Sequence, residues 1–188
     1  MSLKQKVIAI DGPSASGKGT VASRVAEALG FLYLDSGALY RLTALYAQKH
    51  NVAWTDEDTV STLAETLPAQ FEGSAVLLNG EDVSEQIRTE AIGMGASAVA
   101  QLPKVRAALL QRQRDFLTDK GLVADGRDIG SVIFPDAALK IFLTASANVR
   151  AQRRAKQLGI PCEGVAFERI LSDIEARDEA DRRRPIAP

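Results

Sequence analysis

Gly12-Pro13-Ser14-Ala15-Ser16-Gly17-Lys18 fits the pattern G-x-x-x-x-G-K. Its small residues let a backbone curl until several N–H groups point inward. A helix starting at the lysine would add the positive end of its dipole. Such a loop binds the oxygens of a polyphosphate, and Lys18 would reach the β- and γ-phosphates. Phosphoryl transfer asks little covalent work of a protein; it needs positioning and positive charge around the moving group. Arginines should therefore recur at strand and helix ends that face the loop.

They do recur. Asp125-Gly126-Arg127-Asp128 follows the apolar run Leu122-Val123-Ala124 directly. In open parallel sheets, ligands bind beyond the carboxyl ends of strands. Asp125 is placed there for magnesium held through water, and Arg127 for a bidentate phosphate clamp. Ser36 and Arg41 flank the start of another helix, which makes either a second phosphate site or an N-cap serine with a surface arginine. Arg150, Arg153, Arg154 and Gln157 share one helical stripe, either a solvated basic face or a mobile lid that closes on the nucleotide. Phe167, Ile170 and Ile174 start a stripe that spacing continues through Arg177, Asp181 and Arg184. Either that helix leaves the core or its polar end faces a site. Arg182 and Arg183 fall off the stripe and read as solvated.

These residues need a scaffold. Val7–Ile10 is a continuous apolar run, as a strand buried on both faces should be. A helix with Val21, Val25, Ala26 and Leu29 on one face follows the loop and closes at Gly30. Phe31–Leu34 reads as a strand, Asp35-Ser36-Gly37 as a turn, and the segment through Leu42, Leu45 and Tyr46 as a helix. In the middle, Ala69–Phe71 and Ala75–Leu78 read as short strands with Asn79-Gly80 as a hairpin turn. Ser84–Arg88 and Thr89–Val99 are expected to be helical. Pro103 starts a helix over Lys104–Asp119. Leu122–Ala124 and Leu139–Leu143 read as buried strands. Asn148–Leu158 and Phe167–Arg184 read as helices, the last stopped by Pro185. Alternating strands and helices imply an α/β fold with a central parallel sheet and helices on both faces.

The bulk numbers agree with one P-loop domain over 1–188. Charged residues are 25% of the chain and the net charge is −1, which argues against a nucleic-acid or anionic-membrane partner. Cys162 is the only cysteine, so no intramolecular disulfide is possible, and a reducing cytoplasm is expected. Cys162, His50 and Trp54 read as bystander or packing residues. No apolar run is long enough to span a membrane, and the N-terminal segment is no signal peptide.

After Lys18 the chain has Gly19 and then Thr20, where P-loop NTPases generally place a metal-binding Ser or Thr at once. This G-K-G-T order resembles the nucleoside monophosphate kinases. More specifically, the chain resembles the bacterial cytidylate kinases along essentially its whole length. The resemblance rests on I-D-G-P-S-A-S-G-K-G-T, on L-D-S-G-A-L-Y-R from Leu34 to Arg41, and on A-D-G-R-D-I-G from Ala124 to Gly130. R-R-x-x-Q from Arg153 to Gln157 and R-D-x-x-D-x-x-R from Arg177 to Arg184 complete it.

The resemblance implies a three-layer P-loop fold with a small inserted monophosphate-binding subdomain at about 67–100 and a short lid at about 148–164. It implies ATP-dependent phosphorylation of CMP and dCMP by a cytoplasmic monomer, with Mg2+. ATP is assigned to Gly12, Pro13, Ser14, Ala15, Ser16, Gly17, Lys18, Gly19 and Thr20, with Thr20 serving a phosphate. Lys18, Arg127, Arg153 and Arg154 are expected at the transferring group. The acceptor phosphate goes to Ser36, Arg41, Arg127 and Arg184, its sugar to Arg177 and Asp181, and the cytosine to Ser97, Arg106 and Asp128. The family continues past the equivalent of Pro188 with a further strand and helix that this sequence does not contain. Two readings stand beside this one: a P-loop kinase for another acceptor, such as UMP or shikimate, and a nucleotide-binding switch without acceptor turnover.

Overall fold

A computed structural model describes residues 6–72 and 74–184. The chain divides into two compact units, Met1–Leu34 with Phe116–Pro188, and Asp35–Asp115.

The first unit is built on a four-stranded sheet. Its strands are β1 (Val7–Asp11), β2 (Leu32–Asp35), β6 (Leu122–Gly126) and β7 (Leu139–Phe142), in the order β2-β6-β1-β7. The apolar run Val7–Ile10 takes the inner position, paired in parallel with β6 and β7. Alternation along β1 covers both faces. Ile10 packs with Ala22 and Ala26 of α1 (Lys18–Leu29) and with Val123, joined by Ile8. Ala9 faces the other way, toward a single π-helical turn at Ile129–Ile133, where a Cβ on Gly130 would lie 3.4 Å from that of Ala9. Sequence spacing places Val21 and Leu29 on the inner face of α1, yet they are 41% and 51% exposed. The helix is turned by about one residue, because alanines can approach the sheet more closely than branched side chains.

The last two helices of this unit, α6 (Ala147–Leu158) and α7 (Gly164–Arg182), pack on each other through Ala151, Ala155, Phe167 and Ile174. Arg184 lies just past α7, whose C-cap is Arg183; Pro185, the expected stop, is outside the described residues. Leu139–Leu143 reads as a buried strand in sequence, but β7 is exposed, with Phe142 at 69%. Its apolar composition suits an inner strand, while its place among the described residues is the sheet edge beside β1.

The second unit contains α2 (Ser36–Lys49), α3 (Glu57–Glu65), α4 (Glu90–Val99) and α5 (Pro103–Arg114), with an antiparallel sheet of β3 (Ala69–Glu72), β4 (Ala75–Leu78) and β5 (Glu81–Asp82). The segment at about 67–100 falls inside it. Asn79 (φ 52°) and Gly80 (φ 77°) form the turn between β4 and β5, the left-handed pair that a two-residue hairpin needs. Asp35-Ser36-Gly37 is not a turn. The Asp35 carboxylate accepts the Ala38 N–H at 3.1 Å, so the helix starts at Ser36. Pro103 opens α5 as expected, but the helix closes at Arg114 rather than Asp119. Trp54 is a packing residue: its Nε1 donates to the Ala44 carbonyl at 2.9 Å, and a Cβ on Gly95 would fall 2.5 Å from its ring. Among the described residues, no helix is long and apolar enough to cross a membrane.

Candidate active site

The loop between β1 and α1 is fixed from several sides. Gly12 N–H donates to the Gly126 carbonyl at 3.1 Å, and Leu143 N–H to the Asp11 carbonyl at 2.8 Å. Only glycine fits at position 12, since a Cβ there would lie 2.1 Å from the Leu143 carbonyl oxygen. Gly17 is left-handed (φ 91°) and caps α1, which has no side-chain cap and no acidic residue in its first turn. The positive end of that helix is therefore left for an anion. The Ser14 and Ser16 hydroxyls are buried and have no hydrogen-bond partner among the described residues. Buried polar atoms left this way suit a ligand rich in acceptor oxygens. Lys18 Nζ donates to the Pro13 carbonyl at 3.2 Å, across the mouth of its own loop. Thr20 is exposed.

Two arginines of α6 hold the loop's outward carbonyls. Arg153 Nη1 donates to Ser16 O at 2.8 Å and Arg150 Nη1 to Ser14 O at 3.3 Å. The cationic stripe read from the sequence thus splits by role. Arg150 is buried, forms a bidentate pair with Asp178 and donates through Nε to Ala145 O at 2.9 Å. Arg154 is half-buried, with Nη1 3.5 Å from Gln157 Oε1. The helix buries Ala151 and Ala155 instead, which leaves its arginines to reach the loop.

Beyond β6, the D-G-R-D run is anchored by Asp11, at the end of β1. Both carboxylate oxygens of buried Asp11 accept main-chain N–H groups, from Ile129 and Gly130, each at 2.8 Å. They cap the π-helical turn and tie the segment after Asp128 to the root of the phosphate loop. Burial raises the Asp11 carboxyl above its ordinary pKa, and the two amides and Lys18 oppose that rise. The signal was an acidic residue ending an otherwise apolar strand, and it names no partner. Asp128 is also buried.

Arg127 and Arg184 converge on one carboxylate. Arg127 Nε is ion-paired to Asp181 Oδ2, and Arg184 Nη1 lies 3.4 Å from Asp181 Oδ1. Arg184 is buried although it ends the described chain, while Arg182 and Arg183 are exposed and paired with Glu179. Arg177 is half-buried on α7. Gly12, Pro13, Arg127, Asp181, Arg182 and Arg184 are among the residues that line a cleft of about 300 Å³, so loop and arginines border one space.

The predicted residues Ser36, Arg41, Ser97 and Arg106 belong to the second unit. Ser36 is buried, and its hydroxyl donates to Gln113 Oε1 at 2.7 Å, so it is not the helix cap. Arg41 Nη1 donates to the Ile87 carbonyl at 2.7 Å. Arg106 is buried, donates to the Ala100 carbonyl at 3.2 Å and sits 5.7 Å from the Tyr40 ring centroid. Ser97 is half-buried on α4. Gln113 was missed, since a glutamine in a polar helix gives no sign of being buried.

Asp125 is buried at the end of β6, and Tyr33 Oη donates to its Oδ2 at 2.5 Å. Among the described residues no group of three or more His, Cys, Asp or Glu could hold a metal ion. A lone carboxylate beside a phosphate loop fits magnesium, which keeps several waters and takes its other ligands from phosphate.

The family model for cytidylate kinase matches residues 8–188. The chain is 80% identical to the cytidylate kinase of Neisseria meningitidis over 98% of its length and 85% of that protein. It is 60% identical to the cytidylate kinase of Chromobacterium violaceum, over 97% of this chain and 82% of that one. With that of Pseudomonas syringae it shares 55% identity over the whole chain and 85% of the relative. The phosphate loop, the arginines around Asp181 and these matches lead to one conclusion: the chain belongs to the cytidylate kinase family.

Proposed function

We propose that this protein transfers the γ-phosphoryl group of ATP to CMP and dCMP, giving ADP with CDP or dCDP. The observation that carries this reading is the cleft lined both by the phosphate loop and by the arginines paired with Asp181. A polyphosphate loop alone describes a binder. A second cationic group beside it suits an acceptor that carries its own phosphate.

The reaction is an in-line attack by an oxygen of the acceptor phosphate on the γ-phosphorus, with the bond to the ADP oxygen breaking. The backbone from Gly12 to Thr20 and Lys18 would hold the donor. Lys18, Arg127, Arg153 and Arg154 would offset the charge on the transferring group. Ser36, Arg41, Arg127 and Arg184 would hold the acceptor phosphate, and Arg177 and Asp181 its sugar. Ser97, Arg106 and Asp128 would read cytosine, whose amino group donates and whose N3 and O2 accept. Magnesium, bound through water at Asp125, would neutralise phosphate charge. The segment at about 67–100 would serve the monophosphate, and that at about 148–164 would act as the lid. The substrates and the lone cysteine suit a cytoplasmic setting, and the protein would act there as a monomer.

The test is ATP consumption with CMP, dCMP, UMP, AMP and shikimate in parallel. UMP sets a carbonyl where CMP has an amino group, so Asp128 would face an acceptor. A mispairing of about 1–3 kcal/mol predicts kcat/KM for CMP roughly five- to over a hundredfold above that for UMP. Equal values would remove the cytosine assignment. ATP binding with no turnover of any acceptor would favour the switch reading.

The arginines allow an internal control. Arg184→Ala is expected to lower kcat/KM for CMP by about ten- to over a hundredfold, as for loss of a charge-assisted phosphate contact, with ATP binding little changed. Asp181 keeps Arg127 as a partner in that variant. Arg183→Ala removes an exposed charge that does not line the cleft and should cost little. Matching losses in the two variants would mean a general basic surface.

A further inference from the structure

In P-loop proteins the hydroxyl directly after the loop lysine binds the metal, close to an acidic residue at the end of a neighbouring strand. Here that position is Gly19, which has no hydroxyl to offer. The space beside it is not bare. A Cβ on Gly19 would lie 3.4 Å from Tyr33 Oη and 3.7 Å from Asp125 Oδ2. Those two oxygens are themselves hydrogen-bonded at 2.5 Å. A hydroxyl therefore stands beside the place that a loop serine would fill, but it comes from β2.

We propose that Tyr33 is a positioning residue that supplies, from β2, the hydroxyl missing from the phosphate loop, and so sets the orientation of Asp125 toward the magnesium nucleotide. Tyr33 is 36% exposed, and its hydroxyl reaches a carboxylate that is 3% exposed. The hydrogen bond to Asp125 Oδ2 fixes the rotation of the carboxylate. A Cβ at position 19 would be in ordinary contact with the tyrosine hydroxyl, so the hydroxyl stands directly beside the loop. Both the tyrosine and the glycine are parts of one substitution: the hydroxyl has moved from the loop to the sheet.

The inference rests on the magnesium–ATP reading above, and the test separates the two. Titrating the wild-type chain with ATP, with and without Mg2+, comes first. No magnesium-dependent gain in binding or turnover there would overturn the underlying reading before any variant is made. Tyr33→Phe then removes only the hydroxyl. Partners of this kind typically change metal affinity or activity by 10–100-fold, so the Mg2+ concentration for half-maximal turnover should rise by about tenfold or more. The magnesium-dependent gain in ATP affinity should shrink, while metal-free ATP binding, KM for CMP and the melting temperature stay near wild type. In the double variant Tyr33→Phe/Gly19→Ser, a loop hydroxyl returns within reach of Asp125, and most of the magnesium response should return with it. An unchanged magnesium response in Tyr33→Phe overturns the proposal. So does an equal loss with and without metal, which would mark a structural role. A double variant that melts like wild type yet recovers nothing also overturns it.

Discussion

Replacing Lys18 by alanine is expected to lower kcat by about 10²-fold or more while the circular dichroism spectrum stays that of the wild type. Its side chain is half-buried at the first position of α1, and its Nζ sits 3.2 Å from the Pro13 carbonyl, over the mouth of the loop. Removing it takes no large apolar group from the core, so the fold should tolerate the change. The transition state loses a fixed positive charge where phosphate charge moves. A loss of 10² corresponds to about 2.7 kcal/mol of differential stabilisation. Lys18→Met separates charge from packing, because it keeps much of the stem; it should fail as badly as alanine. Single-turnover rates with CMP at saturating ATP provide the check, and near-normal turnover in either variant would defeat the assignment.

The second large effect is on stability. Arg150→Ala is expected to cost about 3–5 kcal/mol, because it leaves Asp178 with no cation in a site where its side chain is only 15% exposed. For a chain of this size that is a fall in melting temperature of roughly 6–20 °C. The double variant Arg150→Met/Asp178→Leu removes both charges and keeps much of the volume, so most of the stability should return. Activity should not return with it. Arg150 also donates to Ser14 O and Ala145 O, and neither substitute can hold the loop carbonyl. Thermal melting beside kcat for the two variants tests this split. If activity recovers along with stability, the contact to the loop has no functional part.

These two residues also show where sequence reading succeeds. Lys18 is legible because strand, loop and helix lie in one continuous segment, and each has a local pattern. The same holds for the Asn79-Gly80 turn and for Gly30, left-handed at the end of α1 as a helix cap requires. Arg150 is different. Spacing placed it with Arg153 and Arg154 on one basic face, but burial depends on α7, which spacing within α6 cannot see. The buried stripe of α6 is made of alanines at 151 and 155, too small to stand out. Helix α3 escaped notice for a similar reason, since only Val60 and Ala64 are buried, although Asp56 caps it and Glu57 and Asp58 open it. The turn at Ile129–Ile133 could not be read locally, because Asp11, from the other end of the chain, holds it. Tyr33 was read only as part of an apolar run, and its hydroxyl gains meaning from Asp125 far along the sequence.

The pairing of β1 has a consequence for how the protein is made. Val7 through Asp11 pair with Leu122–Gly126 and, from Ile8 on, with Leu139–Phe142. Between them the chain runs through the whole of the unit Asp35–Asp115, which is contiguous. A chain emerging from the ribosome therefore presents β1 long before the strands that pair with it. The contiguous unit has all its residues in hand while the phosphate loop still lacks Gly126 and Leu143, the carbonyls against which it is shaped. Closing so long a loop is slow compared with forming local helices and hairpins. The donor-side loop is thus begun at Asp11 and can be shaped only after Leu143 has been made.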